Sequence, residues 1–118
     1  MEKIGILTCL NSNRVCTGAS CLKAFNDRSH FFAGYQKDTQ LGAFMTCNGC
    51  AATQPLAPAE DPGMQEKVQR LSAEGITKVH VGVCRLGKDR KECSRMTKIC
   101  EMIEDAGITV LRGTHREG

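Results

Sequence analysis

Eight cysteines and three histidines in 118 residues are the groups of this sequence with the greatest capacity for chemistry. Thiolates and imidazoles bind soft and borderline metals, and a thiolate is also a nucleophile and a redox centre. Cys47-Asn48-Gly49-Cys50 is a C-x2-C unit, so two sulfurs share one turn and further ligands must come from remote segments. Cys9 and Cys84 each follow a short apolar run, and His115 follows another through Gly113-Thr114. Cys16 and Cys21 come soon after Cys9, where a helix N-terminus would lower a thiol pKa, and Cys93 precedes a long amphipathic stretch.

Each of these positions has a plainer reading. Cysteine is often a small buried hydrophobe, and that reading fits Cys100, which shares an apolar helical face with Met96, Ile99 and Ile103. His80 alternates with Val79, Val81 and Val83, so it points away from them and reads as a satisfied buried imidazole. His30, between Ser29 and Phe31, reads as surface.

The elements that must position these groups alternate. Lys3 to Cys9 is an aliphatic run that reads as a buried strand, followed by a loop rich in Asn and Ser. Ser20 is the expected N-cap of a short helix to about Asp27, with Leu22 and Phe25 directed inward and Phe31 and Phe32 beside it. Gln40 to Thr46 predicts a second strand running into the C-x2-C turn, where Gly49 permits a tight bend. Residues 51–63 read as an Ala/Pro loop, and a helix from about Gly63 to Glu74 buries Met64, Val68 and Leu71 before Gly75 ends it. Lys78 to Val83 predicts a third strand, Glu92 to Asp105 a helix closed by Gly107, and Thr109 to Arg112 a fourth strand.

This order predicts an α/β fold: three layers, α/β/α, around a mainly parallel four-stranded sheet of the flavodoxin-like, doubly wound kind. In such a sheet the carboxyl ends of the strands share one edge, and ligands bind in the crevice beyond it. Cys9, Cys47, Cys50, Cys84 and His115 all fall at those ends, so residues far apart in sequence are expected to converge.

Length and composition set the frame. The chain suits a single domain over 1–118, with 41% hydrophobic and 25% charged residues, ordinary for a globular protein. A net charge of +3, scattered and accompanied by one Tyr, four Phe and no Trp, gives no nucleic-acid footprint. The apolar stretch after Glu2 and Lys3 is too short for a signal core or a membrane span, so a soluble, cytoplasmic protein is expected. In a reducing compartment so many thiols point to metal or redox chemistry rather than to a disulfide scaffold.

Three site chemistries fit this pattern: a zinc centre with Cys or Cys/His ligands, an iron–sulfur cluster, or thiol redox through Cys47 and Cys50. Against the last, the stretch after Cys50 reads as loop, whereas a redox C-x2-C opens a helix. Spacing argues against a phosphatase-type loop, because Cys9 and Arg14 enclose four residues where five are needed and Val15 stands in place of the required hydroxyl. No Walker loop, dinucleotide fingerprint or Ser/His/Asp triad is present in the sequence.

The chain resembles the CGGC domain family of small cysteine-rich proteins. The resemblance rests on Cys9, on Cys16 with Gly18 and Cys21, on Phe44-Met45-Thr46-Cys47-Asn48-Gly49-Cys50, on Val79-His80-Val81-Gly82-Val83-Cys84, and on Gly113-Thr114-His115. It implies metal binding, with zinc suggested, by Cys9, Cys47, Cys50, Cys84 and His115; Cys16, Cys21 and Cys93 are secondary candidates. The sequence departs from the family at Asn48, which replaces the first glycine and tolerates a left-handed backbone, and at Ser94, where proline is usual after Cys93.

Overall fold

A computed structural model describes residues 1–115. Strand β1 (Lys3–Thr8) is followed by α1 (Ala19–Asn26), β2 (Gln40–Thr46), α2 (Pro62–Ala73), β3 (Ile76–Val81), α3 (Ser94–Asp105) and β4 (Thr109–Arg112). The strands form one sheet in the order β2-β1-β3-β4, and every neighbouring pair is parallel. The expected three-layer α/β/α architecture with a parallel four-stranded sheet is what the chain adopts.

Alternation along the strands sorts the core into two layers. On one face Leu7, Val79 and Val81 pack against Met64, Val68 and Leu71 of α2 and Met96, Ile99 and Ile103 of α3. On the other, Ile4 and Ile6 pack against Cys21, Ala24 and Phe25 of α1 and against Phe32. β1 is central and its last five residues are buried, as the near-continuous apolar run requires of a strand covered on both faces. Cys100 lies fully buried in the first layer, and His80 faces the second, opposite Val79 and Val81.

Several boundaries differ from the sequence reading. The residue before α1 is Gly18 in a left-handed conformation, and no side chain caps that helix, so Ser20 is not an N-cap but lies in the first turn. The buried face of α1 is accordingly Cys21, Ala24 and Phe25, with Leu22 only half-buried, and Phe31 is exposed while Phe32 is buried. β3 starts earlier, at Ile76, and stops at Val81; Val83–Arg85 is a 3-10 turn. α3 starts at Ser94 rather than Glu92, because Glu92 pairs across to Leu86 and its carboxylate binds Arg85 and Arg112. Asp61 caps α2 by accepting the Gly63 N–H at 2.9 Å, with Pro62 at the first helical position, where its missing N–H costs nothing. Gly49, Gly75 and Gly107 all have positive φ, as their turn and helix-end positions demand.

Candidate functional site

The sheet brings Cys9, Cys47 and Cys84 together because β1 stands between β2 and β3. Parallel pairing aligns Thr8 with Thr46 and Leu7 with Val81, so the residues just past these ends emerge side by side. Two backbone amides of the chain leaving β1 then point at the sulfurs of its neighbours. The Cys9 N–H donates to Cys84 Sγ at 3.2 Å, and the Leu10 N–H donates to Cys47 Sγ at 3.3 Å. Amide donors of this kind favour the thiolate form and orient a ligand sulfur.

Burial opposes them at Cys84. It is the dominant influence and raises the thiol pKa, with the Cys9 amide acting the other way and the neighbouring Cys9 and Cys21 thiols reinforcing the rise.

Cys21 enters from the first turn of α1. Its Sγ lies 3.1 Å from Thr114 Oγ1 and 3.7 Å from His115 Nδ1, and Thr114 Oγ1 is 3.2 Å from that same ring nitrogen. The 113–115 segment that carries these groups is tied down by its own contacts. The Gly113 N–H donates to Val81 O at 2.8 Å, and Gly113 O accepts from His80 Nδ1 at 2.9 Å. Since a carbonyl only accepts, His80 carries its proton on Nδ1, and Nε2 accepts from the Tyr35 hydroxyl at 2.7 Å. Burial lowers the His80 pKa, and the same burial pushes Tyr35 up to about 12. The satisfied buried imidazole expected from sequence is present, and it anchors the strand end that bears Thr114 and His115.

Gly82 leaves room between the sulfurs. A Cβ there would stand 3.3 Å from Cys84 Sγ, 3.7 Å from Thr8 Cγ2 and 3.9 Å from Cys21 Sγ. Its φ of −68° and ψ of 163° suit any residue, so space rather than backbone freedom explains a glycine here.

Other candidates stand apart. Cys50 is exposed on the turn after β2, where its carbonyl accepts the N–H groups of Thr53 and Gln54. Cys16 is exposed in the loop before α1 and accepts the Gly18 N–H at 3.4 Å, and Cys93 is exposed at the residue preceding α3. Among the described residues no group of three or more His, Cys, Asp or Glu side chains is arranged to hold a metal ion. The donor chemistry nonetheless suits one: thiols from neighbouring strand ends lie side by side, amide N–H groups address two of their sulfurs, and no side chain at Gly82 stands between Cys84 and Cys21.

The C-x2-C turn is fastened in a way the sequence reading missed. Asn48 is not left-handed; its side chain bridges instead. Nδ2 donates to Asp61 Oδ2 at 2.8 Å, and Oδ1 accepts from Lys67 Nζ at 2.7 Å, while the same ammonium donates to Thr46 O at 2.7 Å. The Asn48 hydrogen bond is the main cause holding the Asp61 carboxyl below its usual range. Asp61 before Pro62 carries a readable N-cap signal, but nothing local marks Lys67 or Tyr35.

Comparison with known proteins agrees with this arrangement in extent. No helix among the described residues is long and apolar enough to cross a membrane. The CGGC domain family model matches residues 3–115. A protein of Methanocaldococcus jannaschii, described as Uncharacterized protein MJ0582, is 30% identical over 119 residues, covering 96% of this chain and 86% of that protein. No solved structure matches the chain. The match over nearly the whole of the sheet and its strand-end cysteines makes this chain a member of the CGGC domain family.

Proposed function

We propose that this is a cytoplasmic zinc-binding protein whose residues 1–118 act as one domain. The metal would be held at the carboxyl end of the sheet by sulfurs from Cys9, Cys47 and Cys84, with Cys21 or His115 completing a tetrahedron. The observation that carries this reading is the convergence of strand-end thiols with the Cys9 and Leu10 amides donating to Cys84 and Cys47. Bound zinc would supply a doubly positive Lewis acid that keeps the thiols deprotonated. The chain's own residues do the rest: Gly82 leaves the space, His80 holds the 113–115 segment, and the two amides orient the sulfurs. Four sulfurs would equally suit an iron–sulfur cluster, so the metal must be identified by assay.

The test is metal analysis with visible spectroscopy and thiol counting on protein purified without oxygen. Near-stoichiometric zinc, a colourless sample and loss of metal in Cys47→Ser and Cys84→Ser are expected. Iron with acid-labile sulfide would replace zinc by a cluster. Neither metal, with all thiols freely titrating, would sink the metal reading and leave thiol redox chemistry through Cys47 and Cys50.

A further inference from the structure

An open cleft of about 420 Å³ runs beside α1, whose Ser20, Lys23 and Ala24 line it at helical spacing together with Asp27, the residue that closes the helix. Ala24 is its floor, only 3% exposed and with a side chain too short to fill the space. The turn after the helix supplies Ser29 and His30. His115 lines the same cleft, and its Nδ1 stands 3.7 Å from Cys21 Sγ, so one imidazole joins the cleft to that thiol.

Two charges here serve no other contact. Lys23 and Asp27 are exposed and four residues apart, the spacing at which Glu66 and Arg70 of α2 pair at 2.6 Å. Neither enters an ion pair among the described residues. Asp27 also stands at the carboxyl end of α1, where the helix dipole disfavours an anion. The turn that follows is fixed. Arg28 and His30 hold left-handed backbones, φ 51° and 52°, which non-glycine residues adopt only when their surroundings over-determine them. Arg28 supplies the anchoring: its guanidinium donates to the carbonyls of Phe25, Gln36, Lys37 and Thr39 and lies 4.2 Å over the Phe25 ring. The Ser29 N–H donates to Ala24 O at 2.9 Å, tying the turn to the cleft floor, and Ser29 Oγ is 3.1 Å from His30 Nδ1.

We propose that this cleft binds a small zwitterion of the amino-acid type: Lys23 and His30 take its carboxylate, Asp27 takes its ammonium, and the Ser20 and Ser29 hydroxyls complete the polar contacts. The volume falls within the range of small-molecule sites, about 300–1,000 Å³. A ligand with both charges satisfies Lys23 and Asp27 together, whereas a simple anion leaves Asp27 facing like charge. The proposal deepens the thiolate-site reading, on which it rests only for what lies beyond His115; the cleft itself needs no metal.

The test titrates metal-free and zinc-treated protein with L-alanine, acetate, methylamine and inorganic phosphate, followed by calorimetry and by the ring signals of the three histidines. L-alanine is expected to saturate and to move the His30 and His115 signals while buried His80 stays in place. Acetate and methylamine, each lacking one charge, bind about fivefold more weakly, the size of one exposed charge pair. Lys23→Gln and Asp27→Asn each lose about fivefold for L-alanine, and Lys23→Arg stays within about twofold. Acetate or phosphate binding as tightly as L-alanine would make this a plain anion site and overturn the zwitterion. No saturation by L-alanine up to about 10 mM, or wild-type binding by both Lys23→Gln and Asp27→Asn, would overturn the cleft as a site. L-alanine bound by protein that takes up no zinc would remove the metal reading and leave this one standing; zinc uptake without L-alanine binding would do the reverse.

Discussion

Replacing Gly82 by alanine separates the fold from the site. At φ −68° and ψ 163° alanine adds no backbone strain, and the loss of glycine freedom in the unfolded chain stabilises by about 0.4–1 kcal/mol. Against this, the new Cβ stands 3.3 Å from Cys84 Sγ, tighter than ordinary contact, so the sulfur must yield a few tenths of an ångström. One extra methyl in a packed setting costs about 1–3 kcal/mol. The two effects leave the metal-free protein destabilised by about 0–2.6 kcal/mol, read from a chemical-denaturation curve. The displaced atom, however, is a candidate ligand whose position is set by the Cys9 amide at 3.2 Å. Disturbing such support lowers metal affinity by about 10–100-fold. The assay is denaturation of metal-free protein beside zinc competition, with Gly34→Ala, where a Cβ would meet nothing within 4 Å, as control. Unchanged zinc affinity in Gly82→Ala, with its stability as expected, would refute the placement of the site at Cys84.

Two further outcomes concern the scaffold. His80 is held neutral by burial, so its folded pKa lies below the unfolded value of about 6.5; the unfolded chain takes up a proton first, and stability falls as pH drops from 7 through 6.5 toward the folded pKa. Of the groups near it, Tyr35 is raised and Glu2, paired with Lys78, is lowered, both away from that window, so His80→Gln should flatten the profile by up to about 1.4 kcal/mol per pH unit, measured by denaturation from pH 7 to 5. Glu92→Gln removes the carboxylate shared by buried Arg85 at 3.3 Å and by Arg112 at 2.9 Å, and is expected to cost about 2–3 kcal/mol in the same assay while leaving zinc affinity within twofold.

The strand–helix alternation was legible because the apolar runs before Cys9, Cys47 and Cys84 are short and dense, while α2 and α3 carry a clear helical stripe. Parallel order follows from that alternation, and with it the placement of strand-end cysteines along one edge. What local pattern could not give was decided by distant partners. Glu92 reads as a helix-opening residue until Arg85 and Arg112 claim its carboxylate. Ser20 looks like a cap until Gly18, whose left-handed turn lets Phe44 approach, starts the helix earlier. Asn48 reads as a glycine substitute, whereas its side chain ties the C-x2-C turn to α2. Tyr35 and Lys67 sit in polar surroundings with no periodic signal, and only the folded chain assigns them His80 and Asn48 as hydrogen-bond partners.

The strand order also sets a timetable. β1 is flanked by β2 and β3, neither of which is a hairpin partner, and each can reach it only after a helical crossover. During synthesis at about 5–20 residues per second, the interval from Lys3 to Val81 is roughly 4–16 s. Over that time the most buried strand of the protein has at most one of its two neighbours. Cys9, Cys16, Cys21, Cys47 and Cys50 emerge in the same interval, before Cys84 exists to join them. A nascent chain therefore presents its thiols to the surrounding redox chemistry well before the sheet that will gather them can close, and oxidant present in those seconds has access that the finished fold denies to Cys21 and Cys47.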